Sequence, residues 1–147
     1  MRGRVRRYLP LLFWMALIFS ASTGELSASN TSLIVRPLLL WLFPDISEER
    51  IALAHFLVRK AAHFTEYAVL GLLMARAFTG SSQEFLRRRW FAVSLVLIAL
   101  YALSDEFHQS FVATRTASLF DSMIDTAGGL AGLLWYRRRR RRKESLS

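Results

Sequence analysis

WFAVSLVLIALYALSDEFHQSFV, residues 90–112, is the stretch on which the fold turns. Trp90 to Val112 is long enough and apolar enough to cross a membrane, although Asp105, Glu106, His108 and Gln109 fall within it. At 1.5 Å per residue the run reaches about 34 Å, enough to cross a hydrocarbon core about 30 Å thick. Residues 61–79 and 119–136 are comparably long and apolar. A fourth candidate, residues 8–22, follows Arg2, Arg4, Arg6 and Arg7 and fits either a first transmembrane helix or a signal sequence. Small residues at Ser20-Ala21-Ser22 and Ala28-Ser29-Asn30 suit a signal peptidase, but no sizeable exported domain follows, which favours a retained helix.

The whole chain agrees with this reading. Its 147 residues are 53% hydrophobic, too apolar for an ordinary soluble domain of that length. Lys+Arg 20 against Asp+Glu 11 gives a net charge of +9. That charge lies beside apolar segments, so it reads as topogenic and attracted to anionic lipid, and no nucleic-acid partner is expected. The absence of Cys excludes disulfides, a thiolate nucleophile and a Cys-based zinc site.

The expected fold is an all-α, multi-pass bundle of about four transmembrane helices in the inner (plasma) membrane, with both termini inside. The basic groups at Arg2 to Arg7, Arg87 to Arg89 and Arg137 to Lys143 then all face the cytoplasm. Residues 1–22 form the first helix or signal anchor, 23–58 an extracytoplasmic or interfacial connector, 59–136 a three-helix core and 137–147 a basic cytoplasmic tail. Within the connector, the Ser/Thr/Asn-rich start reads as loop. The apolar run 34–43, interrupted by Arg36 and Pro37, reads as lying flat on the membrane. Ser47 with Glu48 and Glu49 reads as the start of a long helix that enters the bilayer.

Residues that membrane helices avoid are concentrated in one layer. Counting from residues 79, 90 and 136 as inner ends, Glu66, Asp105, Asp121 and Asp125 lie roughly 16 to 22 Å above the inner face, with His63 and His108 slightly higher. His63, Glu66 and Tyr67 share a helix face, as do Asp105, His108 and Gln109, and Asp121 and Asp125. The short connection 113–118 forces antiparallel contact between its helices and brings Arg115 over the carboxylates. Gly128 and Gly132, with Gly129 and Ala131, form a small-residue surface for close helix approach. Ionised carboxylates facing lipid near the bilayer centre cost on the order of 3 kcal/mol each, so these acids face inward or towards water.

Arg59-Lys60-Ala61-Ala62-His63-Phe64-Thr65-Glu66-Tyr67 with Gly71, then Asp105-Glu106-Phe107-His108-Gln109 with Phe111 and Arg115, then Asp121, Asp125 and Gly128, resemble in order the VanZ-like family. The resemblance spans residues 59–132. Asp125 stands where the family has Asn as often as Asp, which weakens any role there that requires charge. The founding member's association with teicoplanin resistance implies work at the cell envelope.

Three functions suit the residues. In an enzyme, Arg59, Lys60 and Arg115 hold an anion of a phosphorylated or lipid-linked envelope molecule while His63, Glu66, Asp105 and His108 exchange protons. Tyr67, Glu106, Gln109, Asp121 and Asp125 complete the binding site, and a metal version draws its N/O ligands from the histidines and acids, with no cofactor selected by spacing. In a binding protein the same pocket holds a lipid headgroup or antibiotic without turnover. In a structural reading the buried charges fix helix register, which suits His63 or Asp121 taken singly. A proton-coupled transporter ranks last, because four helices leave little room for alternating access without oligomerisation. His55 has no assigned role, and Tyr67, Tyr101, Trp90 and Trp135 suit packing or interfacial anchoring.

Overall fold

The computed structural model of the chain describes residues 2–22, 28–111 and 118–146. Its regular elements among the described residues are all helices: α1 (Arg2–Ser22), α2 (Ala28–Leu42), α3 (Glu48–Thr79), the single-turn α4 (Glu84–Arg88), α5 (Trp90–Gln109) and α6 (Leu119–Glu144). The all-α class expected from the sequence holds. Of the four expected spans, only α5 is both long enough and apolar enough by composition to cross a membrane, among the described residues. The others carry charge inside their helical runs: Arg4, Arg6 and Arg7 in α1, Arg59, Lys60 and Glu66 in α3, Asp121, Asp125 and the Arg tail in α6.

Three boundaries differ from the sequence reading. The start of the connector is helix instead of loop from Ala28, with Ser29, Asn30, Thr31 and Ser32 in the first turns, where short polar side chains cost least. Pro37 lies within α2 without ending it. The third span, expected to reach Val112, closes at Gln109 with Ser110 as its C-cap. The long helix beginning after Ser47 is present as α3 and runs on through the expected span to Thr79. At 1.5 Å per residue it is about 48 Å long, well beyond the hydrocarbon thickness.

α6 lies centrally, packed most extensively on α3 and next on α5, while α1 packs on α3 and α5. Glycine sets the α3–α6 distance. A Cβ on Gly128 would meet the Phe64 carbonyl oxygen at 2.2 Å, and one on Gly132 the Ala68 carbonyl oxygen at 2.1 Å. The two i, i+4 glycines of α6 thus seat on an i, i+4 pair of α3, the close approach for which small residues were expected. On the adjoining face, Gly71 meets the Gly129 carbonyl, and a Cβ on Gly129 would meet Ile98 Cγ2 at 2.5 Å, which brings in α5.

Hydrogen bonds fix α1 along the bundle. The Tyr8 hydroxyl donates to Ser81 Oγ (3.1 Å), Trp14 Nε1 to the Glu66 carbonyl (2.9 Å), and the Tyr101 hydroxyl to the Met15 carbonyl (2.6 Å). α1 therefore runs parallel to α5 and opposite to α3. Leu11, Ile18, Leu70, Met74, Ile98, Ala102 and Leu133 fill the apolar middle. One end is basic and aromatic: Trp90 meets Tyr136 edge to face at 5.6 Å, Arg137 lies over Phe91 and Arg139 over Trp135. The polar layer lies towards the other end.

Candidate functional site

Ser94, Ile98, Ala102, Asp105, Glu106 and Gln109 are the buried residues of α5, and their spacing of mostly three and four marks one helix face. Ser122, Asp125, Gly128, Gly129, Gly132 and Leu133 form the matching face of α6. Asp105 and Asp125 are therefore carried into the interior by the same faces that carry the apolar core. Asp105 is 2% exposed and Asp125 1%, while Phe107 is 68% and Met123 67% exposed.

Asp105 lies between three helices. Its Oδ2 accepts hydrogen bonds from Ser22 Oγ of α1 at 2.8 Å and from Gln109 Nε2 at 2.9 Å, and Gln109 also reaches Ser22 at 3.3 Å. Across from it, Nδ1 of His63 on α3 lies 3.6 Å from Asp125 Oδ1. One ligand atom from each of His63, Asp105 and Asp125 lies within 4.8 Å of the others. Among the described residues, Asp105 Oδ1 and both oxygens of Asp125 are buried and accept no hydrogen bond. Among the same residues the buried hydroxyl of Tyr67 has no hydrogen-bond partner, and its ring centroid is 6.2 Å from that of Tyr101.

The remaining expected residues divide around this centre. Lys60 pairs with Asp121 through its ammonium group and lies over the Phe56 ring. Glu106 turns towards the start of α6, where its Oε2 accepts the Ser118 backbone N–H at 2.8 Å. A carboxylate at a helix N-terminus satisfies an orphan donor and suits the helix dipole. Glu106, not His108, thus shares the inward face with Asp105 and Gln109. His108 is rotated to the flank of α5, its ring 4.4 Å from Phe19 of α1, with Nε2 buried and without a hydrogen-bond partner among the described residues. Glu66 is half-buried one turn along α3 from His63, and Arg115 lies outside the described residues. A crevice of about 10 Å³, room for a single water-sized occupant, is lined by Arg59, Lys60, His63, Gln109, Asp121, Ile124 and Asp125.

Ser22 was not among the candidates, because its small neighbours drew attention to possible cleavage. Depth counting would have found it. With Arg7 taken as the inner end, Ser22 lies about 22 Å along α1, the height the same count gives Asp105 on α5.

The site is a buried carboxylate pair with one imidazole, oriented by a hydroxyl and an amide, beside a crevice with cationic side chains. Chemically it can hold a proton between acid and base groups, or gather N/O ligands. The family model described as VanZ/LLP1 matches residues 7–140 and so includes every residue of this site. No curated protein and no solved structure matches the chain.

Proposed function

We propose that this chain, which belongs to the VanZ/LLP1 family, works as a four-span protein of the inner membrane whose outer-half polar site binds a phosphorylated or lipid-linked envelope molecule and so alters susceptibility to teicoplanin-type glycopeptides. The observation that carries the reading is the convergence of Ser22, His63, Asp105, Gln109 and Asp125 from four separate helices on one buried point. A water-soluble bundle has the opposite polarity. Here aromatic and aliphatic side chains such as Phe13, Phe107 and Met123 face outward while carboxylates are enclosed, as suits a hydrocarbon surround. Arg59 at the crevice supplies attraction for an anionic headgroup, and His63 with the carboxylates supplies groups that exchange protons.

The test measures teicoplanin susceptibility and co-purifying phospholipid, by native mass spectrometry, for Glu66→Gln, Asp105→Asn and His108→Ala. The expected result is normal membrane insertion with loss of the susceptibility phenotype, and loss of bound phospholipid in Asp105→Asn. Unchanged phenotype and lipid in all three inserted variants would overturn the binding reading. A structural reading draws support from one feature, the tight α3–α6 glycine seam beside a crevice of only about 10 Å³. It expects all three variants to lose expression.

A further inference from the structure

We infer that His63, Asp105 and Asp125 form a binding site for one divalent transition-metal ion of the zinc or manganese class. The inference stands on side-chain geometry and is independent of the lipid-binding reading. Three observations support it.

The first is convergence. The His63–Asp125 separation of 3.6 Å is close to the edge of a tetrahedron built from metal bonds of about 2.0–2.1 Å. One ligand atom from each of His63, Asp105 and Asp125 lies within 4.8 Å of the others, so the three close onto a common ion with side-chain movements of no more than about 1–2 Å.

The second is the unsatisfied acceptors. Among the described residues Asp105 Oδ1 and both Asp125 oxygens are buried without a hydrogen-bond donor, although the same Asp105 is well supplied at Oδ2. A buried carboxylate with nothing to accept from is costly, and a cation removes that cost for both residues at once. Lys60 is already engaged by Asp121, and Arg59 makes no ion pair among the described residues.

The third is the support around the ligands. Ser22 and Gln109 hold Asp105 by one oxygen and leave the other for the centre, the division of labour by which outer groups orient metal ligands. One imidazole with two carboxylates suits zinc or manganese better than calcium, which takes six or more oxygens, or magnesium, which keeps several waters. Three protein ligands leave a coordination position open, and the adjacent crevice has room for one water there. His108 and Asp121, ligand candidates by spacing, lie outside the trio, held against Phe19 and Lys60.

The experiment uses the full chain, purified in detergent with a tag free of histidine, stripped with chelator and titrated with Zn²⁺, Mn²⁺ and Co²⁺. About one equivalent of Zn²⁺ or Mn²⁺ is expected to bind, and Co²⁺ to give the visible absorption of a low-coordinate N/O site. Asp125→Ala and His63→Gln, which each remove a ligand atom, are expected to weaken binding at least tenfold, while His55→Ala leaves it unchanged. Uptake well below one equivalent with no Co²⁺ absorption in the wild-type protein overturns the site, and the carboxylates are then joined by a shared proton. Undiminished metal in either folded variant overturns it as well. Should the variants not fold, the wild-type Co²⁺ spectrum decides alone.

Discussion

Asp125 accepts no hydrogen bond at either oxygen from the described residues, although it is all but fully buried, and the nearby His63 imidazole stands at ion-pair distance. Asp105, its counterpart on α5, is instead anchored by Ser22 and Gln109. Removing one of those anchors tests how far the site depends on α1. Ser22→Ala deletes a buried hydroxyl that donates to a carboxylate, a loss of about 1–3 kcal/mol, and is expected to lower the thermal midpoint in detergent by several degrees. An unchanged midpoint would mean that Gln109 alone holds Asp105. Most of this residue-level picture was legible in the sequence, since helical spacing and depth counting select Asp105, Gln109, Asp125 and His63. The inversion of Glu106 and His108 was not. The two lie on opposite sides of Asp105 and Gln109 around the helix, and spacing alone does not say which side packs against α6 and which against α1.

At the scale of elements, the seam between α3 and α6 depends on what glycine lacks. Gly132→Ala sets a methyl group against the Ala68 carbonyl, a backbone atom that cannot rotate away, so the helices must separate. The expected cost is about 1–3 kcal/mol in thermal unfolding of the full chain. Gly80→Ala serves as the control, because its Cβ would meet the flexible Arg7 side chain at 3.4 Å and the Arg76 carbonyl oxygen at an ordinary contact of 3.5 Å. The sequence displayed the glycine surface of α6 but not its partner: the short connection after α5 pointed to α5, whereas the tightest backbone contacts are with α3. A second element contact responds to pH. Arg36 and Glu48 join α2 to α3 through two hydrogen bonds of 2.7 Å. The Arg36 guanidinium, through those hydrogen bonds, holds the Glu48 carboxyl below its usual range. Because that value is depressed in the folded protein, the contact contributes fully above the ordinary carboxylate range and is lost as pH falls through the depressed value. The protection of α2 amides, measured against the intrinsic exchange rate at each pH, is expected to fall on that descent, and in Glu48→Gln to be lower already at neutral pH.

For the whole molecule, the distribution of charge decides how the bundle stands in a membrane. Arg6, Arg7, Arg87 to Arg89 and Arg137 to Lys143 belong to the start of α1, the α3–α5 turn and the end of α6, and the Tyr8–Ser81 and Trp90–Tyr136 contacts gather these segments at one end. The carboxylate layer lies towards the opposite end, where α1 and α5 finish and α6 begins. Composition alone identifies one span, because charge lowers the average apolarity of the others: Arg4, Arg6 and Arg7 in α1, Arg59, Lys60 and Glu66 in α3, Asp121, Asp125 and the Arg tail in α6. A helix whose acids face its neighbours, as Asp105, Glu106 and Asp125 do, presents an apolar surface to lipid at those positions regardless of its average composition. On the proposed four-span reading the positive-inside rule puts the basic end in the cytoplasm. Since the chain contains no Cys, single cysteines report on this without background. Asp45→Cys, in the α2–α3 turn, is expected to react with an impermeant maleimide in intact cells. Gln83→Cys and Ser145→Cys should react only after the membrane is opened. Labelling of Gln83→Cys from outside would reverse the orientation and leave the polar site facing the cytoplasm. Labelling of all three in intact cells would remove the bundle from the bilayer, and with it the reason for enclosing carboxylates beneath an apolar surface.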